Sequence, residues 1–391
     1  VVIFAWGAFV LASVEAGRPV WWLLAPIAIL AYGWVFHMGF ANFYLALGLS
    51  LWTLALVWKT WSSARVAAGA ALLALAATAH MLPVAWAAGA LVYGRISRSL
   101  NDRWRMLLGA AVIASFSILR VILMGRFKSL WAFEQVFSAT GADQAWVYGT
   151  KYFSIALLLL SAWMLLLFDR VQNEGVRHVL LSPAFQIYLL TTAAVVLTPT
   201  AVHLPGYKHA LMYISHRMSL PAGIMVCVCL APRMPARWHV AGFTAVAALF
   251  FSFLFADTRA FNRLERRLET VVGQLPPDAR VVSALCAPAR SFDALAHMLD
   301  RVCIGRCFSY ANYEAPSAAF RVRALPHNGV VVSCDADSSA LQLGYYLVQE
   351  QDLPLYEVYF CREDSLDLCV RSLKAGDLSG RTCRQVTPRL W

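Results

Sequence analysis

The sequence predicts an α-helical polytopic membrane protein of about 8–10 transmembrane helices with a small α/β extracytoplasmic domain at its C-terminal end. Three observations carry this. Of 391 residues, 60% are hydrophobic and only 14% charged, against about 25% charged in soluble chains. The apolar residues are concentrated in residues 1–256, as runs separated by short polar connectors. Charge divides at the same place: residues 1–256 hold 17 Lys and Arg against six acids (Glu15, Asp102, Glu134, Asp143, Asp169, Glu174), while 257–391 hold 16 of each sign. The net charge of +11 therefore belongs wholly to the apolar part. It points to anionic lipid or an anionic substrate, and no nucleic-acid-binding motif accompanies it.

The candidate spans are 1–14, 19–36, 39–58, 66–80, 82–94, 106–124, 154–168, 180–200, 218–232 and 239–256. The first is short and lacks a basic leader, so it reads as the tail of a helix that begins before residue 1, in an N-terminally truncated chain. Around HMLP (80–83) two readings stay open, one Pro-kinked helix or a hairpin of two. With a hairpin, the clusters KTWSSAR (59–65), GRISRSLNDRWR (94–105), DRVQNEGVR (169–177) and PRMPAR (232–237) share one face. Together with Arg18 that face collects 11 Lys and Arg against five opposite (Arg126, Lys128, Lys151, Lys208, Arg217). The positive-inside rule places the richer face in the cytoplasm of a multi-pass inner (plasma) membrane protein and delivers residues 257–391 outside.

Seven of the nine cysteines (Cys286, Cys303, Cys307, Cys334, Cys361, Cys369, Cys383) fall in that last third, a density suited to disulfides in an oxidising compartment or to buried thiols. The segment 257–275 reads as a charged amphipathic helix. A strand starting near Arg280, a strand in NGVVVSCD (328–335), a helix in SSALQLGYYLVQEQ (338–351) and a strand in LYEVYFCR (355–362) follow. Within RVCIGRCFSYANYEAPSAAFRVRA (301–324), Tyr310, Asn312, Tyr313, Glu314, Arg321 and Arg323 form either a recognition surface for sugar or phosphate or a loop pinned back on its domain. The chain contains no GxSxG, HExxH, P-loop or GxGxxG sequence.

Five of nine histidines fall on the outward side (His37, His80, His203, His209, His216), with Arg217, Lys208 and, near the outward end of a span, Arg120. Cations here oppose the topology rule, and an Arg within a span costs about 2.5–3.5 kcal/mol unless it is paired or hydrated. A phosphate would repay this through charge-assisted hydrogen bonds, and snorkelling to headgroups is the alternative. His203, His209 and His216 are spaced by six and seven, unlike metal ligands on one helical face, so no metal site is assigned. Glu134 and Asp143 are the outward carboxylates, in the long connector LWAFEQVFSATGADQAWVYGTKYF (130–153), whose Trp131, Phe133, Trp146 and Tyr148 suit either a sugar ring or an aromatic belt.

The segments FHMGFANFYLALGLSLWTLALVW (36–58) and AALLALAATAHMLPVAWAAGALVY (70–93) carry a GF-x-NF-x-x-x-L-G-L run from Gly39 and a helix-ending Ala79-His80 with Pro83. With the late connector ending in Arg217, they resemble the GT-C glycosyltransferases over about 1–256. The resemblance implies a polyprenyl-phosphate-sugar donor, with Arg217, Lys208 and Arg120 on its phosphate, His80, His203 and His209 supporting, and Glu134 as a base candidate. Such enzymes carry an acidic motif in their first outward loop, which acts as base or holds a divalent metal. That loop would precede residue 1, so no residue here is assigned to it. The expected function is transfer of a sugar from a lipid-linked donor to an acceptor at the outer face. The alternative is a non-catalytic scaffold whose C-terminal domain binds a cell-envelope polymer or a protein partner. A transporter is disfavoured because no span centre carries an acidic ion-coupling residue.

Overall fold

The computed structural model describes residues 1–205, 211–285, 295, 297–310, 313–314, 319–320, 340–341, 345–362 and 366–379, with 313–314 and 319–320 as backbone. Among these it is mostly helical with a strand-containing C-terminal region. It divides into two compact units, Val1–Ser252 and Phe253–Trp391.

Unit 1 contains α1 (Val2–Ala16), α2 (Leu24–Ala31), α3 (Trp34–His37), α4 (Ala41–Val57), α5 (Ser63–Ala79), α6 (Met81–Ser99), α7 (Asp102–Arg126), α8 (Thr150–Glu174), α9 (Val176–Leu181), α10 (Pro183–Leu197), α11 (Ile214–Leu230) and the start of α12 (Arg237–Val272). Among the described residues α7, α8 and α12 are long and apolar enough to cross a membrane, and the other apolar helices are shorter. The run expected as a span at 180–200 begins instead at a Ser182 N-cap with Pro183 in its first turn, where Pro has no N–H to waste. The run at 19–36 is interrupted at Gly33, which is extended and starts α3. The expected span 239–256 and amphipathic helix 257–275 are one continuous helix, α12, since no Gly or Pro interrupts 243–272.

The HMLP segment is a hairpin. α5 stops at His80, whose backbone is extended, and Pro83 sits in the first turn of α6, a position that tolerates it. α5 leaves the C-terminal end of α4, where Thr53 Oγ1 donates to the Gly69 carbonyl (3.3 Å). The His80 ring reaches Phe43 near the start of α4 (5.5 Å), and α6 returns so that Arg98 donates to the Trp58 carbonyl.

The basic clusters meet at the end of unit 1 that holds Trp58. Trp58 Nε1 donates to Glu15 (2.6 Å) and Lys59 to the Glu15 carbonyl (2.7 Å). Arg105 donates to the Leu181 carbonyl (3.0 Å), Arg177 pairs with Asp102 (2.6 Å) and Arg233 with Asp169 (2.6 Å). Arg18 reaches the Arg233 carbonyl (3.2 Å). Buried Arg170 pairs with Glu174 (2.9 Å) and donates to the Cys229 carbonyl. Four of the six acids of this half are thus engaged at one end; the other two, Glu134 and Asp143, lie in the connector after α7.

That connector enters the bundle. Strand β1 (Lys128–Leu130) pairs antiparallel with β2 (Ala201–His203), and two 3-10 turns follow, Phe133–Ala139 and Ala142–Ala145. Gln135, Ser138, Ala142, Gln144, Ala145 and Val147 are buried. Gly141, at φ +79°, lies so close to α11 that an added Cβ would stand 2.4 Å from Gly223.

Unit 2 holds β3 (Arg280–Ser283), α13 (Met298–Val302), β4 (Phe308–Ser309), β5 (Tyr313–Glu314), β6 (Ala319–Phe320), β7 (Tyr346–Leu347), β8 (Leu355–Phe360), β9 (Leu368–Leu373) and β10 (Leu378–Ser379). Its main sheet runs β4-β3-β8-β9, parallel except for β8–β9. Alternation along β3 sends Val281 into a core with Leu264, Leu268 and Val272 of α12, and Val282 into one with Phe308, Tyr310 and Leu355. The strands expected near Arg280 and at 355–362 are present. Within the helix expected at 338–351, Tyr346–Leu347 is strand, paired with β10; the strand expected at 328–335 lies outside the described residues. Disulfides join Cys303 to Cys307 and Cys361 to Cys369. Cys286, Cys334 and Cys383 lie outside the described residues.

Gly141→Ala combines left-handed strain with a backbone clash and should cost on the order of 2–4 kcal/mol. Gly17→Ala, also left-handed but with nothing within 4 Å of the added Cβ, should cost about 1–2 kcal/mol. Thermal unfolding of the detergent-purified variants checks the order.

Candidate anion site and the buried connector

At the end of unit 1 away from the basic clusters, two helix starts place His80 and Arg217 together. His80 is the N-cap of α6: its Nδ1 accepts from the Leu82 N–H (3.1 Å), satisfying one of the free amides of a helix start. Arg217 lies in the first turn of α11, which begins from Tyr213 in the left-handed conformation (φ 59°). That turn aims carbonyls at the guanidinium: Arg217 Nε donates to Tyr213 O (3.2 Å) and Nη2 to Met212 O (2.7 Å). Phe40 and Phe43 lie 4.9 and 5.9 Å from the guanidinium carbon, within cation–π range. The remaining Nη1 points at His80 Nε2, 3.1 Å away.

This last contact is chemically incomplete. A neutral imidazole has one N–H and one lone pair, while Leu82 N–H and Arg217 both only donate. With Nδ1 serving the cap, Nε2 carries the hydrogen, and two N–H groups face each other. Protonation does not help: burial first, and then the Arg217 charge, hold His80 below the usual imidazole range. A group that accepts from both donors resolves the conflict, and an oxyanion does so best.

Around this pair, Trp34 packs on Tyr213 (5.6 Å) and His216 (5.4 Å). The His216 ring lies beside Thr200 (3.4 Å) and Ser215 (3.3 Å). One turn further along α11 is Ser219. Its hydroxyl is 2.8 Å from Asp143 Oδ2 and 2.9 Å from the His216 carbonyl. Gln144 Nε2 donates to Ser219 Oγ (2.6 Å) and His216 O (2.9 Å), and Gln144 Oε1 accepts the Val35 N–H (3.1 Å) that the helix break at Gly33 leaves free. Asp143 Oδ1 is shielded from solvent and makes no hydrogen bond. Burial pushes the Asp143 carboxyl up to about 7, against the opposing pull of Ser219, Ser138, its own backbone and Gln144.

The other expected site residues are placed as follows. Arg120 stacks over Trp131 (4.5 Å), whose Nε1 donates to Val196 O (2.7 Å), so its guanidinium faces an aromatic ring. His203 is exposed at the end of β2 opposite Lys128, and Glu134 is exposed on its 3-10 turn. Lys208 and His209 lie outside the described residues. Asp143, expected at the outer surface, is tucked against α11. In unit 2, Tyr310 is not part of a recognition surface: it is buried and donates to buried Asp352, which also accepts from Tyr346 (3.0 Å). Asn312, Arg321 and Arg323 lie outside the described residues, as do the side chains of Tyr313 and Glu314.

Among the described residues no three His, Cys, Asp or Glu side chains gather as a cation site. Glu134 is exposed and Asp143 is bound to Ser219, so no ligand set for the divalent metal implied by the resemblance stands among the described residues. Sequence reasoning missed Tyr213, Phe40, Gln144 and Ser219. The FANF run signalled the aromatic wall, whereas nothing local announced the left-handed Tyr213.

Because His80 is depressed in the folded chain, it contributes stability above its unfolded value of about 6.5, and that contribution is lost as pH falls below it. His80→Asn keeps an N-capping oxygen, so it should preserve stability at pH 8 and shrink its loss between pH 6.5 and 5, measured by thermal unfolding. Compared with known proteins, the chain matches no family model, no curated protein and no solved structure.

Proposed function

We propose that this chain is a multi-pass membrane glycosyltransferase-like protein that moves a sugar from a lipid-phosphate donor to an acceptor at the outer face, and that Arg217 with His80 receives the donor phosphate. The observation that carries the reading is the 3.1 Å approach of Arg217 Nη1 to His80 Nε2, which are both N–H donors when Nδ1 accepts from Leu82, with every other polar atom of both side chains already engaged. The end holding the basic clusters faces the cytoplasm by the positive-inside rule, which leaves the Arg217 end and unit 2 outside; the disulfides of unit 2 fit an oxidising compartment.

In sugar transfer the bond from the anomeric carbon to the phosphate oxygen breaks as the acceptor oxygen bonds to that carbon. The acceptor's proton leaves to a base, and negative charge grows on the departing lipid phosphate. Arg217 and His80 answer that charge, fixed in place by the Met212 and Tyr213 carbonyls and the α6 cap, so little reorganisation accompanies reaction. Phe40 and Phe43 limit the hydration of the guanidinium and strengthen its pull. Exposed Glu134 stays the candidate base. The shorter helices contribute spans in which a break such as Gly33 is buried in protein rather than exposed to lipid.

The test is binding of polyprenyl phosphate to the full chain in nanodiscs, followed by native mass spectrometry. Arg217→Ala should weaken binding at least about tenfold, the equivalent of a charge-assisted hydrogen bond of 1.5–3 kcal/mol. Arg217→Lys should recover part of it. Equal binding by wild type and Arg217→Ala refutes the assignment.

A further inference from the structure

We propose that Asp143 is a proton-binding site inside unit 1: it is held as the neutral carboxylic acid, its Oδ2–H donating to Ser219 Oγ, and loss of that proton weakens the seat of the 131–148 connector on α11.

The hydrogen-bond inventory supports this. Four atoms meet at the site: Asp143 Oδ2, Ser219 Oγ, the His216 carbonyl and Gln144 Nε2. The Ser219 hydroxyl has one hydrogen and lies within bonding distance of two acceptors, Asp143 Oδ2 at 2.8 Å and His216 O at 2.9 Å. With Asp143 ionised, that one hydrogen serves one of them, and a charged Oδ1 remains shielded with no donor at hydrogen-bond geometry; Ser138, the Asp143 backbone and Gln144 offset its burial only in part. With Asp143 protonated, Oδ2–H donates to Ser219, Ser219 donates to His216 O, and Gln144 donates to both Ser219 and His216 O. Only a neutral carbonyl oxygen is then left over, which costs far less than a buried charge.

Among the described residues the surroundings supply no counter-charge. The 142–145 turn is packed by α2, α3, α8, α11 and the 133–139 turn. The titratable groups of these elements near it are otherwise occupied or remote from the carboxylate. His37 on α3 bonds Tyr148 (3.1 Å), Lys151 on α8 lies over the Tyr152 ring (5.6 Å), and on α11 His216 lies beside Thr200 while Arg217 meets His80. Cys227 is buried on α11, Glu134 of the 133–139 turn is exposed, and α2 has no titratable side chain. Asp143 feels burial and hydrogen bonds alone, with no charged neighbour among the causes of its shift. A metal cation does not fit in place of the proton, because Gln144 Nε2, a donor, already occupies the Ser219 and His216 oxygens that would bind it. The inference does not depend on the glycosyl-transfer reading.

The folded carboxyl titrates above its unfolded value of about 3.9, so the folded state keeps the proton longer. Stability is then full below about pH 4 and declines as pH rises toward about 7. The test uses the full chain in nanodiscs, with infrared spectra at pH 5 and pH 9. At pH 5 the wild type should show a protonated-carboxyl C=O band that Asp143→Asn lacks, that Ser219→Ala shifts in frequency, and that disappears by pH 9. Asp143→Asn should fold, since its amide replaces a neutral acid, and its unfolding midpoint should depend less on pH between 4 and 7 than that of the wild type. A wild-type spectrum at pH 5 without a band removed by Asp143→Asn overturns the proposal. So does a Ser219→Ala spectrum in which that band is unchanged, or an equal pH dependence of stability in wild type and Asp143→Asn.

Discussion

The Gln144 carboxamide holds unit 1 together at its least regular point. Its oxygen takes the Val35 N–H left free where the helix breaks at Gly33, and its nitrogen spans Ser219 Oγ and the His216 carbonyl on α11. A broken helix, an irregular connector and the start of α11 are thereby joined by one buried side chain. A buried amide without a partner costs about 1–3 kcal/mol, so the break at Gly33 and the insertion of the connector are tolerable only together. The close approach of Gly141 to Gly223 follows from the same constraint, since Gln144 reaches α11 only if the chain three residues earlier touches it.

Opposite ends of the unit use charge differently. At the Trp58 end, cations find carboxylates and helix carbonyls, and Glu15, Asp102, Asp169 and Glu174 are all engaged. At the other end Arg217 has carbonyls, aromatic faces and an imidazole around it, with no carboxylate among its recorded partners. An arginine so supported is fixed in position with no counter-charge among the described residues, which is the electrostatic state suited to receiving an anion.

Much of this was legible in the sequence, and what was not has a physical cause. A break at His80 could be read because Pro83 is a local signal, but Pro alone does not separate a kink from a hairpin, and that choice waited for the His80 cap. The gathering of four basic clusters and Arg18 at one end followed from counting helices. The pairing of His80 with Arg217 was anticipated only as membership of one outer-side group. The insertion of residues 131–148 was not readable, since Gln135, Asp143 and Gln144 look like surface residues until their distant partners on α10 and α11 are known. Tyr310 stayed open between two readings for the same reason. Its partner Asp352 lies 42 residues away, and nothing in the SYANYE stretch distinguishes a buried phenol from an exposed one.

The two disulfides of unit 2 close loops with sequence separations of only four and eight. Short rings remove little freedom from a disordered chain, because the entropy of closure grows with the logarithm of loop length. These bridges therefore behave as clips on a turn and on the loop end of the β8–β9 hairpin, not as staples joining distant parts of the fold. A reductant would fray those two edges while the β4-β3-β8-β9 hydrogen bonds and the apolar contacts on either side of the sheet persisted.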